Sequence, residues 1–272
     1  MDAVAIPPNL ENVLDEAWEA ADRVPGFLVK SEARFLGTVA ACAPGKGSIV
    51  EIGSFKGRST VMLAKVAKYY GLGPIVSIDP HGFNSAELQK HRISPDASSF
   101  QEFCKNLEAA GVSDFVDIRR ALSSDVSPGW TAPIRFLWID GDHSYEGARQ
   151  DFEGFSRHLV PQGIVGFHDA LHAFAGPIRV FVEEVLRCNE FGPAGFVHSI
   201  AWSQFRPYDG RSFAEQRARL EQRAERLIPL LASNSELHGL RKLKFKLLRS
   251  RVPRTAIAPG EWASVLDRRS AR

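Results

Sequence analysis

Between residues 48 and 208, short apolar runs alternate with longer amphipathic ones. SIVEI (48–52), PIVSID (74–79), FVDIRR (115–120), PIRFLWID (133–140) and GIVGFHD (163–169) read as short buried strands. Between them lie helical patterns over 58–70, 97–111 and 145–159, and another follows over 176–189. Pro177 sits in the first turn of that last helix, where a missing N–H costs nothing. A strand, a helix and a strand in succession can pack only as a parallel sheet with helices on both faces. GFVHSI (195–200) and WSQFRPY (202–208) read as a closing pair joined by a tight turn, an antiparallel edge.

The flanks differ from this centre. Residues 10–24 place Leu10, Val13, Leu14, Ala17, Trp18 and Ala21 at helical spacing, ended by Pro25-Gly26. Ser31 is placed to cap a second helix, SEARFLGTVAACA. After Asp209 the composition turns basic: residues 206–254 hold 13 Lys/Arg against 5 Asp/Glu. Residues 211–250 read as charged amphipathic helices broken near Ala232–Ser235, and 251–272 as a loose tail. The expected division is an N-terminal helical cap (1–45), a central α/β domain (46–208) and a basic helical extension with its tail (209–272).

Composition excludes several classes. A net charge of +2 gives no reason to expect nucleic acid. Cys42, Cys104 and Cys188 are dispersed and odd in number, which fits neither a disulfide framework nor a zinc cluster. The N-terminus shows no basic region followed by an apolar run. No apolar stretch reaches the roughly 20 residues that cross a bilayer. These features place the chain in the cytoplasm.

The first strand-to-helix turn, VEIGSFKGRST, carries the chemistry. Gly53 and Gly57 are spaced G-x-x-x-G, which lacks the dinucleotide fingerprint G-x-G-x-x-G and the lysine of a phosphate loop. Glu51 would repel a phosphate and attract an ammonium group. Asp79, at the end of the second strand, can accept hydrogen bonds from ribose hydroxyls; its alternative role is a turn cap before Pro80. A nucleoside bearing a cationic amino-acid arm satisfies both acids, and S-adenosylmethionine is such a molecule.

The segments VEIGSFKGRST, VSIDPH, RRALSSD and WIDGDHSYEGARQDFEGFSRHLVPQGIVGFHDA follow in the order found in class I S-adenosylmethionine-dependent methyltransferases. The chain resembles that family over residues 30–206. Within it, the resemblance is to small O-methyltransferases grouped with macrolide-sugar methyltransferases and cephalosporin-hydroxylase-like proteins. Gln162 departs from the glycine usual in that pattern. The resemblance implies a Rossmann-like, doubly wound, mostly parallel seven-stranded sheet with an antiparallel edge hairpin, N-terminal helices and a C-terminal helical extension. It also implies a cofactor site: Gly53, Ser54 and Gly57 against the methionine part, Glu51 near its amino group and Ser59 near its carboxylate. Asp79 would hold the ribose, and Ala121, Leu122 and Ser123 would border the adenine.

Asp140, Asp142 and His143 follow the fourth strand, and His168-Asp169 follow the fifth. Strand ends of this kind face one crevice. Asp140, His168 and Asp169 offer three ligands for a divalent cation, magnesium or manganese, with the histidine favouring the softer metals. The metal-free alternative has Asp169 capping a loop and His168 bonded to Asp140. His143 can accept the proton of an acceptor hydroxyl, or can be a helix-start residue only. His81 and the segment 82–96 are candidates for shaping or covering the pocket.

The expected activity is methyl transfer from S-adenosylmethionine to a hydroxyl of a small molecule, a sugar or secondary metabolite. The alternatives are a nicotinamide-dependent reductase and a non-catalytic cofactor-binding protein with a basic interaction tail. The extension packs one face on the core or on a second subunit in a homodimer, or meets an acidic partner or a membrane surface.

Overall fold

The computed structural model describes residues 6–82, 99–231 and 237–255, with residues 258, 261, 262 and 266 beyond them. Seven strands form one sheet: β1 (Ser48–Ile52), β2 (Ile75–Ile78), β3 (Val116–Arg119), β4 (Ile134–Ile139), β5 (Leu159–Phe167), β6 (Phe191–Val197) and β7 (Ile200–Phe205). Their order is β3-β2-β1-β4-β5-β7-β6. The first five run parallel, and β7 is antiparallel to both β5 and β6. The chain order reverses between β1 and β4, so a crevice opens outside the carboxyl ends of those strands.

Burial follows from this order. All six residues of β4 are buried, as a central parallel strand covered on both faces requires. Successive residues of β1 face opposite layers: Ile49 packs with Phe35, Val61 and Trp138, whereas Val50 packs with Leu137, Phe152 and Phe167. The outer strand β3 alternates buried and exposed residues and carries Asp117 and Arg119, charges that discourage pairing with another chain.

One layer is built by α1 (Leu10–Asp22), α2 (Lys30–Cys42) and α3 (Arg58–Tyr69). Leu10, Val13, Leu14, Ala17 and Ala21 make the buried stripe of α1. A Cβ at Gly37 would lie 2.4 Å from Leu14 Cδ2 and 2.6 Å from Met62 Cε, so glycine permits the close approach of α2 to both neighbours. The N-terminal helices share their core with β1, β4, Trp262 and Leu266. Trp262 packs edge-on to Phe35 at 5.6 Å and against Trp202 at 4.8 Å. On the crevice side of the same layer, α4 (Ser99–Ala109) packs Phe103 and Leu107 into that core.

The opposite layer holds α5 (Ser123–Val126), α6 (Tyr145–Ser156) and α7 (Ala175–Val180), which continues as a π-helical stretch over Phe181–Leu186. In the extension, α8 (Ala214–Ala224) and α9 (Gly239–Ser250) bury one face each, with Leu220, Ala224 and Phe245 joining this layer. Among the described residues no helix is long and apolar enough to cross a membrane.

Two boundaries differ from the sequence reading, and one residue departs from the usual backbone conformation. Ser31 lies inside α2; the N-cap is Val29, whose backbone N–H donates to Glu32 Oε2 at 3.1 Å. The edge hairpin begins at Phe191 and turns at His198-Ser199, with φ 52° at His198. Gly192-Pro193 resembles a strand breaker, yet an edge strand tolerates a proline. Gln162 adopts φ 69°, a conformation glycine takes without penalty. The expected helix break at Ala232–Ser235 and the segment from Phe83 to Asp96 lie outside the described residues.

Candidate active site

The glycine turn between β1 and α3 is held from two directions. Gly53 has φ 83°, and a Cβ there would sit 2.1 Å from the Asp140 carbonyl oxygen. The turn therefore lies directly against the end of β4. Asp79 Oδ2 accepts the backbone N–H groups of Ser54 and Phe55, both at 2.8 Å, and Oδ1 accepts that of His81 at 2.6 Å. Asp79 thus shapes the turn, the cap role anticipated as its alternative. The Ser54 hydroxyl also donates to Oδ2, at 3.5 Å, the longest of these bonds and the one a ribose hydroxyl would displace.

Gly57 caps α3 with φ 93° and no side-chain hydrogen bond. The first N–H groups of a helix have no partners within it, and an uncapped end attracts a carboxylate. Ser59 is buried in this first turn, and its hydroxyl bonds to Glu51. Thr60 Oγ1 donates to Glu51 Oε2 at 2.6 Å, whereas Oε1 is buried and unpartnered. Burial pushes the Glu51 carboxyl up to about 8 despite these bonds, with Asp140 and Asp79 adding to the rise. A buried, unpartnered carboxylate oxygen fits an incoming ammonium group. The residues present therefore suit an amino-acid arm, with Glu51 at one end and the α3 N-terminus at the other.

Across the turn, Ser123 donates to Asp151 Oδ1. Burial raises the Asp151 carboxyl to about 6 against the lowering effect of that bond. Ala121 is partly exposed and Leu122 is 53% exposed at the end of β3, a surface open to a planar ring. His81 is buried, its Nδ1 is 3.0 Å from Ser99 Oγ, and its ring packs on Phe100 and Phe103. It braces α4 against the loop after β2.

The acid and histidine cluster at the ends of β4 and β5 divides into two parts. His168 is buried between carboxylates: Nδ1 lies 3.0 Å from Asp140 Oδ1 and Nε2 lies 3.4 Å from Glu32 Oε2. Burial opposes its charge, but Asp140, Asp169 and Glu32 overcome that and hold it well above the ordinary histidine range. Both ring nitrogens face carboxylates, an arrangement that favours the protonated ring. The three residues expected to hold a metal, Asp140, His168 and Asp169, meet here, with His168 Nδ1 3.0 Å from Asp140 Oδ1 and 3.5 Å from Asp169 Oδ1.

His143 joins the same carboxylates from the other side. Its Nε2 lies 3.6 Å from Asp140 Oδ1 and 3.5 Å from Asp169 Oδ2. Asp140, His143 and Asp169 each present a donor atom within 4.8 Å of the others. Asp169 has φ 54°, a left-handed conformation that aspartate tolerates better than most residues, and its Oδ1 lies 2.6 Å from His172 Nδ1. Burial opposes ionisation of Asp169, but His168 and His172 drive its carboxyl well below the usual range. Asp142 points elsewhere: it accepts from the backbone N–H and hydroxyl of Ser144, both at 2.9 Å, and so fixes the N-cap of α6.

Sequence reasoning missed two contributors. Phe174 stacks on His143, with centroids 4.5 Å apart and planes 15° from parallel. Glu32, from α2, is 1% exposed and also accepts from the Ser199 N–H at 3.1 Å and the Ser199 hydroxyl, with His198 Nδ1 at 2.9 Å. Burial would raise Glu32, but the bonds from His168 and Ser199 and the His168 charge outweigh it and hold the carboxyl at about 2. The available signal was an acid on an otherwise apolar face of α2.

A family profile described as a methyltransferase domain matches residues 50–170, the span from β1 through Asp169. Over that span the chain is similar to methyltransferase domains. Solved structures agree on the architecture. A candidate O-methyltransferase from Klebsiella pneumoniae is similar at TM-score 0.53 and 18% identity, over 75% of this chain and 92% of that one. The O-methyltransferase TomG from Streptomyces achromogenes, involved in tomaymycin synthesis and solved with S-adenosylmethionine, gives 0.51 and 18%, over 71% and 89%. The cofactor-bound protein Rv0187 from MTB gives 0.51 and 18%, over 72% and 90%. At this identity the likeness establishes the fold. The matched profile describes a methyltransferase domain and not a reductase.

Proposed function

We propose that this methyltransferase moves a methyl group from S-adenosylmethionine to a hydroxyl of a small acceptor, a sugar or other hydroxylated metabolite. The observation that carries the transfer is His143, set between Asp140 and Asp169 beside the Gly53 turn. S-adenosylmethionine supplies a sulfonium methyl that is already activated. The protein then has to align the acceptor and take its proton. His143 Nε2 receives that proton, and the resulting imidazolium stands between two carboxylates while Phe174 fixes the ring plane. Glu51 and the α3 N-terminus bind the amino-acid arm, with Gly53, Ser54 and Gly57 lining it. Asp79 takes the ribose, and Ala121, Leu122 and Ser123 border the base.

The 4.8 Å grouping of donor atoms favours a second reading of the same site. Asp140, His143 and Asp169 would hold a divalent cation that lowers the pKa of the acceptor hydroxyl. A nitrogen ligand among two carboxylates suits manganese, iron or zinc better than magnesium. The experiment is S-adenosylmethionine titration and methyl-transfer assay with a panel of hydroxylated acceptors, in chelator and with each metal restored. His143→Ala is expected to lower kcat by 10²- to 10⁴-fold while leaving cofactor affinity unchanged. Chelator-resistant turnover assigns His143 as the base, and chelator-sensitive turnover assigns it as a ligand. Absence of cofactor binding under every condition would overturn both readings.

The Glu51 geometry gives a separate expectation. With its carboxyl at about 8, Glu51 is protonated at pH 7 in the free protein. An ammonium group at Oε1 favours the ionised form, so cofactor binding at pH 7 should release close to one proton. Calorimetry in buffers of different ionisation enthalpy measures this directly. Glu51→Gln should abolish the release and weaken binding about tenfold or more. The sign for stability is opposite to that of a salt-bridged acid. The folded value exceeds the unfolded value of 4.5, so stability of the free protein falls as pH rises from 4.5 towards 8.

Three cysteines without disulfides agree with a reducing compartment, and we place the enzyme in the cytoplasm.

A further inference from the structure

The C-terminal helix α9 presents an apolar stripe that the methyltransferase reading does not use. Leu240, Leu243 and Leu247 are 85%, 64% and 52% exposed. At helical spacing they fall within roughly a 60° arc. Lys244 and Arg251 flank that arc on one side and Lys246 on the other, and all three are exposed. From residue 238 to 255 there are seven Lys/Arg and no Asp/Glu. The opposite side of the helix is anchored: Phe245 is buried, Leu248 packs beside it, and Arg241 Nε donates to the Leu230 carbonyl at 2.7 Å. The stripe is therefore displayed on a preformed helix rather than ordered at the moment of contact.

We propose that α9 docks this enzyme on an anionic membrane surface. Three leucines flanked on both sides by long cationic side chains match an interfacial helix, with the leucines in the acyl boundary and the lysines reaching headgroups. A second copy of this face would bring like-charged helices together, which disfavours self-association. The helix also neighbours the crevice. Arg249, half-buried on another side of α9, is close enough to feel the Asp169 and Glu32 charges.

The test is co-sedimentation of the full chain with vesicles of phosphatidylcholine alone and of phosphatidylcholine mixed with phosphatidylglycerol, at low and high salt. Binding to the mixed vesicles alone, weakened by salt, is expected. Lys244→Gln with Lys246→Gln should lower partitioning roughly thirtyfold. Leu243→Ser with Leu247→Ser should lower it at least about tenfold, and both side chains are exposed enough to leave the fold intact. Light scattering on the leucine variant follows its mass. No binding of the parent to mixed vesicles overturns the proposal. So does binding indifferent to the leucine substitutions, which marks a purely electrostatic partner. A fall in mass of the leucine variant shows that a second copy covers the stripe, and also overturns it.

Discussion

Gly53→Ala is expected to abolish detectable S-adenosylmethionine binding and to destabilise the protein by about 3 kcal/mol or more. Two costs combine. The residue holds φ 83°, where an L side chain is strained. Its Cβ would also meet backbone atoms of the β4 end: the Asp140 carbonyl oxygen at 2.1 Å, the Asp140 carbonyl carbon at 2.5 Å and the Gly141 nitrogen at 2.7 Å. No rotamer relieves a collision with backbone. The turn must move away from β4, which separates the amino-acid cradle at Glu51 from His143. Calorimetric titration and denaturant unfolding check the two parts. Retained binding with parental stability would mean that the turn and the β4 end are not packed as described.

Glu32→Ala is expected to cost about 3–5 kcal/mol, because removing one partner of a buried ion pair strands the other charge. Glu32 is 1% exposed, and His168 beyond it is 3% exposed. The substitution also leaves the Ser199 N–H and hydroxyl without their acceptor. Glu32→Gln keeps the shape without the charge and should lose less. In both variants the His168 pKa should drop, readable from its ring resonances. Activity should fall as well, since His168 fixes Asp140 Oδ1, one of the two carboxylate oxygens beside His143 Nε2. Near-parental stability for Glu32→Ala would show that His168 is neutral or hydrated.

Much of this protein was written locally. The alternation of buried strands and amphipathic helices over 48–205 determined a parallel sheet with an antiparallel edge, because each residue's face is set by its own period. The glycine turn and the two acids Glu51 and Asp79 were legible for the same reason: their positions at strand ends follow from strand boundaries. The roles at the β4 and β5 ends were not. Both His143 and His168 are a histidine beside an aspartate, and nothing along the chain says which one turns inward. That choice was made by Glu32, 136 residues before His168, which reaches the site only because α2 packs beneath the sheet end. Phe174 and the left-handed backbone of Asp169 then set His143 in the crevice. Periodicity encodes which face a residue occupies; which charges meet depends on packing between distant segments, and only the tertiary structure decided that.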